Sequence, residues 1–314
     1  MDNGDSSLVS IIINCYNGEK YLKEAIKSIY SQTYQNWEII FFDNNSTDKS
    51  AAIAKSFDKK LKYFKNKSTV SLGEARKLAM KCANGDWVGF LDSDDLWYPD
   101  KLKVQIQYLK KGNYSMCYAG IDEINSNGTL IRQKIPNYNS GSVFANQLKN
   151  FEVNMVTPLV KRSFLKKHSL EFDKRIMVSE EYNLFMKIMA ISEVCIIKKS
   201  LGAWRISENT TTMKQISNWH KDRKLTLDDI VKKYPNINLK YSNEFNEAYN
   251  RGKYYQARYL MFSENFQDAR KVMKSISSAN FLYFLLYLLT YFPKSWNFIH
   301  TDKIKKNISK KIGF

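Results

Sequence analysis

Apolar positions in the first third of the chain follow two alternating patterns. Short, near-continuous apolar runs at Leu8–Ile13, Trp37–Phe42, Leu61–Phe64 and Trp87–Leu91 read as strands buried on both faces. Between them the spacing turns helical. Leu22, Ile26 and Ile29 or Tyr30 share one face of Glu19–Tyr30, and Leu72–Cys82 is a further helix, closed off by Gly85. Ser46, Thr47 and Asp48 are N-cap types that open a helix through Phe57. Strands and helices in alternation predict an α/β fold, a mostly parallel sheet flanked by helices. Further on, strands are predicted at Met116–Ile124, Leu130–Ile135 and Val194–Ile197, with a helix from Glu180 to Met189. From about Ile216 the strand signal ends and long helical stretches follow. They include Glu247–Phe262 with Phe266–Met273 as a helical hairpin. The expected division is 1–213 for the α/β domain and 214–314 for an all-helical C-terminal region.

Charge narrows the partners. With 49 Lys plus Arg against 31 Asp plus Glu, the net charge is +18, which favours polyanions: nucleic acid, anionic lipid or phosphorylated substrates. The basic residues are spread over many helices with no nucleic-acid motif, so no nucleic-acid partner is expected. Cys15, Cys82, Cys117 and Cys195 are far apart and form no CxxC pair, which suits a reducing compartment. The opening MDNGDSSLVS is acidic and polar and gives no secretion signal, and no apolar run reaches membrane-span length.

The chemistry concentrates in GDWVGFLDSDDLWYPDKL, where a buried strand runs straight into Asp92, Ser93, Asp94 and Asp95. Clustered carboxylates raise one another's pKa unless a cation sits among them. A hard ion such as Mg2+ or Mn2+ takes oxygen ligands and shares them with a diphosphate. Ligands of open α/β sheets bind at the carboxyl ends of strands. A metal-diphosphate site is one reading; an acidic turn before the helix near Pro99, with an Asp as N-cap, is the other. Asp43 likewise ends a buried strand. Its carboxylate can accept N3–H of uracil or thymine or N1–H of guanine, or it can brace a turn with Asn44 and Asn45. Arg76, on a predicted helix, offers a fork for phosphate oxygens or belongs to a solvated face. Glu180 and Glu181 open a helix, where the macrodipole favours acids in any case.

Taken in order, the blocks VSIIINCYNGEKYL, EIIFFDNNSTDKS, SLGEARKLA with GDWVGFLDSDD, FDKRIMVSEEYNLFMKI and AWRISENTTT resemble the family 2 glycosyltransferases of GT-A fold, over about two thirds of the chain. The resemblance implies that Cys15, Tyr16 and Asn17 wall the nucleoside. It makes Asp43 the base reader, favouring uridine, and puts Arg76, Asp92 and Ser93 on the nucleotide. Asp94 would ligate Mn2+ or Mg2+, and Asp95 would support the donor-sugar pocket. Arg205 would pair with the diphosphate or with Glu180. Inverting transfer needs a carboxylate base; where relatives carry Glu-Asp this chain has Glu180-Glu181, so Glu181 is the base and Glu180 a supporting or metal-linked acid. Relatives often place His two residues after the Arg; here Ser207 stands there, which implies weaker metal affinity without nucleotide.

Residues 280–292, NFLYFLLYLLTYF, are too few to span a bilayer and unusually apolar for an exposed helix. Lys303, Lys305, Lys306, Lys310 and Lys311 follow against a single Asp302. The pair suits an anionic membrane surface, or else a packed helix with a solvated tail. The expected protein is a metal-dependent inverting transferase of hexosyl or N-acetylhexosaminyl type. It takes a nucleotide diphosphate sugar to a glycan or lipid-linked saccharide for surface polysaccharide, and it is cytoplasmic and peripheral on the inner membrane face. A nucleotidyltransferase and a non-catalytic basic binding module are the alternatives.

Overall fold

The computed structural model describes residues 7–206 and 216–300. The apolar runs pair into one nine-stranded sheet. Val9–Cys15 (β1), Trp37–Asp43 (β2), Leu61–Lys65 (β3) and Trp87–Phe90 (β4) are parallel, in the order β3-β2-β1-β4. Glu19–Tyr30 (α1), Ser50–Lys55 (α2) and Leu72–Lys81 (α3) connect them. The sheet continues through Leu96–Trp97 (β5), Met116–Ile124 (β6), Leu130–Lys134 (β7), Leu159–Lys161 (β8) and Val194–Arg205 (β9). Here β8 runs antiparallel to β4 and β6, β5 antiparallel to β9, and β7 antiparallel to β6, while β6 and β9 are parallel. The sheet is therefore mixed, its parallel part lying where the βα alternation is cleanest. The interleaved helices are Lys101–Leu109 (α4), Phe144–Lys149 (α5), Arg162–His168 (α6) and Glu180–Met189 (α7).

Burial on both faces explains the continuous apolar strands. Every residue of β1 and β2 is buried. On one face Ile11, Ile13, Ile39 and Phe41 pack with Leu22, Ala25, Ile26 and Ile29 of α1. On the other Ile12 pairs in register with Ile40 and Phe90, and Phe90 meets Phe172 (5.5 Å) and Phe185 of α7 (6.4 Å). Gly85 is dictated by close approach: a Cβ there would stand 2.5 Å from the Ser10 nitrogen and 2.6 Å from the Leu8 oxygen.

Lys101, the first residue of α4, is fully buried. Its ammonium donates to Gln105 and to the Thr157 carbonyl (3.1 Å) and lies 4.0 Å from the Trp97 ring centre. Burial, opposed only by Cys117, pushes this amine down to about 7. Since the folded value lies below the unfolded one, the unfolded chain binds more protons between about 7 and 10.5, and stability rises with pH across that window. Relative to Lys101→Met, the wild type is expected to gain up to about 1.4 kcal/mol per pH unit there, read from denaturant unfolding at pH 7 to 10.

The residues form two compact units. One falls within Met1–Phe144 and Glu152–Thr210, the other within Ala145–Phe151 and Thr211–Phe314. The second is helical: Ile216–Lys233 (α8), Ile237–Lys240 (α9), Ser242–Phe262 (α10), Phe266–Lys274 (α11), Phe281–Leu289 (α12) and Pro293–His300 (α13). Its core gathers Tyr254, Met261, Met273, Tyr283, Leu286 and Trp296. Buried Arg223 ties Ala145–Phe151 into it, donating from Nη2 to the Leu148 carbonyl (3.0 Å) and from Nε to that of Ala248 (2.9 Å). Asn265 and Asn280 cap α11 and α12 by accepting from Asp268 and Tyr283 N–H groups. Among the described residues no helix is long and apolar enough to cross a membrane.

Candidate active site

The carboxyl ends of β1, β2 and β4 converge. Cys15 stands opposite Asp43, and the Asn44 amide donates to the Cys15 carbonyl (2.8 Å). Reciprocal bonds tie the loops after β1 and β2: the Glu19 amide donates to Asp48 (2.9 Å) and the Lys49 amide to Glu19 (2.8 Å). The first loop also abuts the acidic turn, since a Cβ on Gly18 would lie 2.6 Å from Ser93 Oγ and 2.9 Å from Cys15 Sγ. Cys15 is buried, which raises its thiol pKa, whereas the Tyr16 ring is exposed. Asn17 takes a positive φ of 52°, and its side-chain oxygen accepts from the Thr47 amide (2.8 Å).

Asp43 is fully buried. It accepts from the Ser46 amide (2.7 Å) and from the Tyr63 hydroxyl (2.6 Å). Each carboxylate oxygen thus holds one donor that braces the turn and keeps a lone pair for another. Tyr63, on β3, carried no signal in the sequence. Neighbouring Asn14 is buried with neither side-chain polar atom partnered, leaving that amide for an ordered water or a ligand.

Arg76 turns inward instead of facing solvent. Its Nη1 donates to Glu180 and its Nη2 to Asp92 (2.6 Å). Burial works against the guanidinium charge, but Asp92 and Glu180 more than offset it and hold it firmly protonated. One side chain of α3 thereby joins the turn after β4 to the start of α7, bringing together acids 88 residues apart in sequence (Asp92 and Glu180). Glu181 is half-buried beside them. Burial first, then Glu180, raises its carboxyl to about 8.

Arg205 does not pair with Glu180, one of its two expected partners. Its backbone amide donates to buried Asp95 (2.8 Å) and its Nε to the Asp94 carbonyl (2.9 Å). Nη1 donates to the Asn125 and Ser126 carbonyls and Nη2 to Glu24 (2.9 Å), while the guanidinium carbon lies 4.3 Å from the Tyr21 ring centre. It makes no contact with Glu180; it is the strut that shapes the acidic turn. Ser207, the other expectation in this stretch, lies outside the described residues.

Asp94 and Asp95 have the electrostatics of a cation site. Asp94 is pushed up to about 6 by burial and then by Asp92; Asp95 rises for the same reasons and through Asp94 as well. Among the described residues no side-chain cation or hydroxyl bonds the Asp94 carboxylate, and no three or more ligating side chains gather round one point. Carboxylate oxygens are the ligand type that a hard divalent ion would take.

Residues 10–169 match the family described as Glycosyl transferase family 2. The chain is 31% identical over 212 residues to the Escherichia coli UDP-Glc:alpha-D-GlcNAc-diphosphoundecaprenol beta-1,3-glucosyltransferase WfgD, covering 66% of this chain and 80% of that one. It covers 34% of the length of uncharacterized glycosyltransferases from Rickettsia conorii and Rickettsia felis. S. aureus TarS 1–349, in complex with UDP-GlcNAc, superposes with a TM-score of 0.69 at 17% identity, over 96% of this chain and 91% of that one. The Pyrobaculum calidifontis mannosyltransferase PcManGT, with GDP-Man and Mn2+, gives 0.61 at 14% identity, over 97% and 87%. At those identities the structures show a shared GT-A fold, and with half the sequence inside the family match, the chain belongs to glycosyl transferase family 2.

Proposed function

We propose that this chain is a metal-dependent, inverting glycosyltransferase that uses a uridine diphosphate sugar and a glycan or lipid-linked saccharide acceptor at the cytoplasmic membrane face. The observation that carries it is the Arg76 bridge, which sets the acids of the turn after β4 beside the pair that opens α7. A donor at the strand ends would lie between these two sets.

Each residue then has a chemical task. Glu181, unpaired by the bridge and raised in basicity, accepts the proton of the acceptor hydroxyl. The oxygen forms its bond to the anomeric carbon from the face opposite the diphosphate, and the carbon–oxygen bond to the diphosphate breaks with its electron pair. Asp94, with Asp95 behind it, would hold a divalent ion, which supplies Lewis-acid stabilisation of the leaving diphosphate. Arg76 fixes Glu180 and Asp92, and Arg205 fixes the turn. The uridine preference draws support from the UDP-Glc and UDP-GlcNAc of WfgD and TarS, the metal from the Mn2+ of PcManGT, and the lipid-linked acceptor from WfgD.

Thermal shift with uridine, guanosine, thymidine and cytidine diphosphates, with and without Mn2+, tests this reading. Uridine diphosphate at a hundredfold excess over Kd is expected to add about 2.7 kcal/mol of stability. Mn2+ should increase the shift, and Asp94→Ala should remove only the metal increment. No shift with any nucleotide would overturn the donor site.

A further inference from the structure

The helical unit presents an apolar face that its own core does not use. In α12, Tyr283 and Leu286 point inward; the Tyr283 hydroxyl donates to Glu247 (2.9 Å), and its ring lies 6.5 Å from Tyr254. Fixing that side turns Phe281, Phe284, Leu285 and Leu288 outward. Their spacing of three, one and three residues makes a single stripe along the helix. Phe281 is 73% exposed, and Phe292, in the turn that follows, is 62% exposed. A soluble surface seldom leaves so many large apolar side chains adjacent without a use for them.

Charge says what covers it. From Ser275 to Phe314 the chain has one acid, Asp302, and six lysines, Lys294, Lys303, Lys305, Lys306, Lys310 and Lys311. Arg270 adds a cation at the edge, its guanidinium carbon 4.6 Å from the Tyr291 ring centre. Nine residues of helix reach roughly 13 Å, far short of a bilayer core, so the stripe does not cross one.

We infer that the outer face of α12, with Phe292, docks this chain on an anionic membrane: aromatic and leucine side chains enter the interface and the basic excess of this part of the sequence favours acidic headgroups. The inference deepens the lipid-linked-acceptor reading above, but its test needs no donor or acceptor.

The test is flotation of the full chain with phosphatidylcholine vesicles and with mixed phosphatidylcholine–phosphatidylglycerol vesicles, at low and high salt. The comparison is a Phe284→Ser/Leu285→Ser/Leu288→Ser variant, whose exposed positions leave the core intact. Melting temperature and slow sugar-nucleotide hydrolysis, measured without vesicles, should match the wild type. The wild type should bind the mixed vesicles, more weakly at high salt, and the variant's partitioning should fall by about tenfold or more. Absence of binding at low salt, or equal binding by the variant, overturns the inference. So does a concentration-dependent oligomer, seen by light scattering without vesicle binding, that the variant dissolves; the face would then be an interface between proteins. Vesicle binding without sugar-nucleotide hydrolysis would sink the proposed activity and leave the membrane face standing.

Discussion

Arg76→Met is expected to lower stability by about 3–5 kcal/mol and to abolish most turnover. The variant removes the cation that buried Glu180 and half-buried Asp92 share, so both lose their Arg76 ion pair. Glu181, already raised to about 8, loses the cation that draws it down, so the folded variant binds more protons than the unfolded chain and its stability falls as pH climbs. Unfolding in denaturant should therefore show a larger deficit at pH 8 than at pH 5. Adding Glu180→Gln to Arg76→Met removes one of the two charges that Arg76 offset and should recover part of the stability without recovering activity. If single and double variants are equally stable and active, Arg76 is a packing residue, and the bridge that carries the functional reading fails.

The role of Arg76 shows where the sequence stops being informative. Its helix was legible from apolar spacing and Gly85, but its direction was not. One of its partners, Glu180, is 104 residues away, and no local pattern reports such a pairing. Arg205 is the same case, meeting Glu24 across 181 residues. Strands β1, β2 and β4 were legible because helices cover both faces and the runs stay apolar throughout. The second half of β9 was not: Lys198 and Lys199 are exposed where its pairing with β6 shifts register, and they break the apolar run. β5, β8 and α6 are two to seven residues long and owe their form to tertiary packing, not to propensity. The acids were found because three carboxylates at the end of a buried strand are costly without a reason. The structure supplies one reason, the Arg205 strut, while the burial and repulsion that raise Asp94 and Asp95 are the cost itself. A nucleotidyltransferase or a plain basic module accounts for neither the order of the blocks nor the family match.

Glu181→Gln is expected to cut kcat by about 10²–10⁴, with the uridine diphosphate thermal shift unchanged. The amide keeps the shape and loses the lone-pair basicity that the acceptor hydroxyl needs. Burial and Glu180 raise the wild-type carboxyl to about 8, so the acid limb of kcat/KM in the free enzyme should lie well above the ordinary carboxylate range. A base must be ionised to act, so activity rises with pH through that value. Arg76 is the nearby cation that draws the value down, so Arg76→Lys, which keeps a charge but not the fork, should move the limb upward. Glu180→Gln should move it the other way, because the repelling neighbour is gone. Glu181→Asp keeps the carboxylate one methylene shorter and should retain more activity than Glu181→Gln. Full activity in Glu181→Gln, with loss confined to Glu180→Gln, would transfer the base to Glu180. In that case its ion pair with Arg76 would have to open before each turnover, and the acid limb would fall back toward the ordinary carboxylate range.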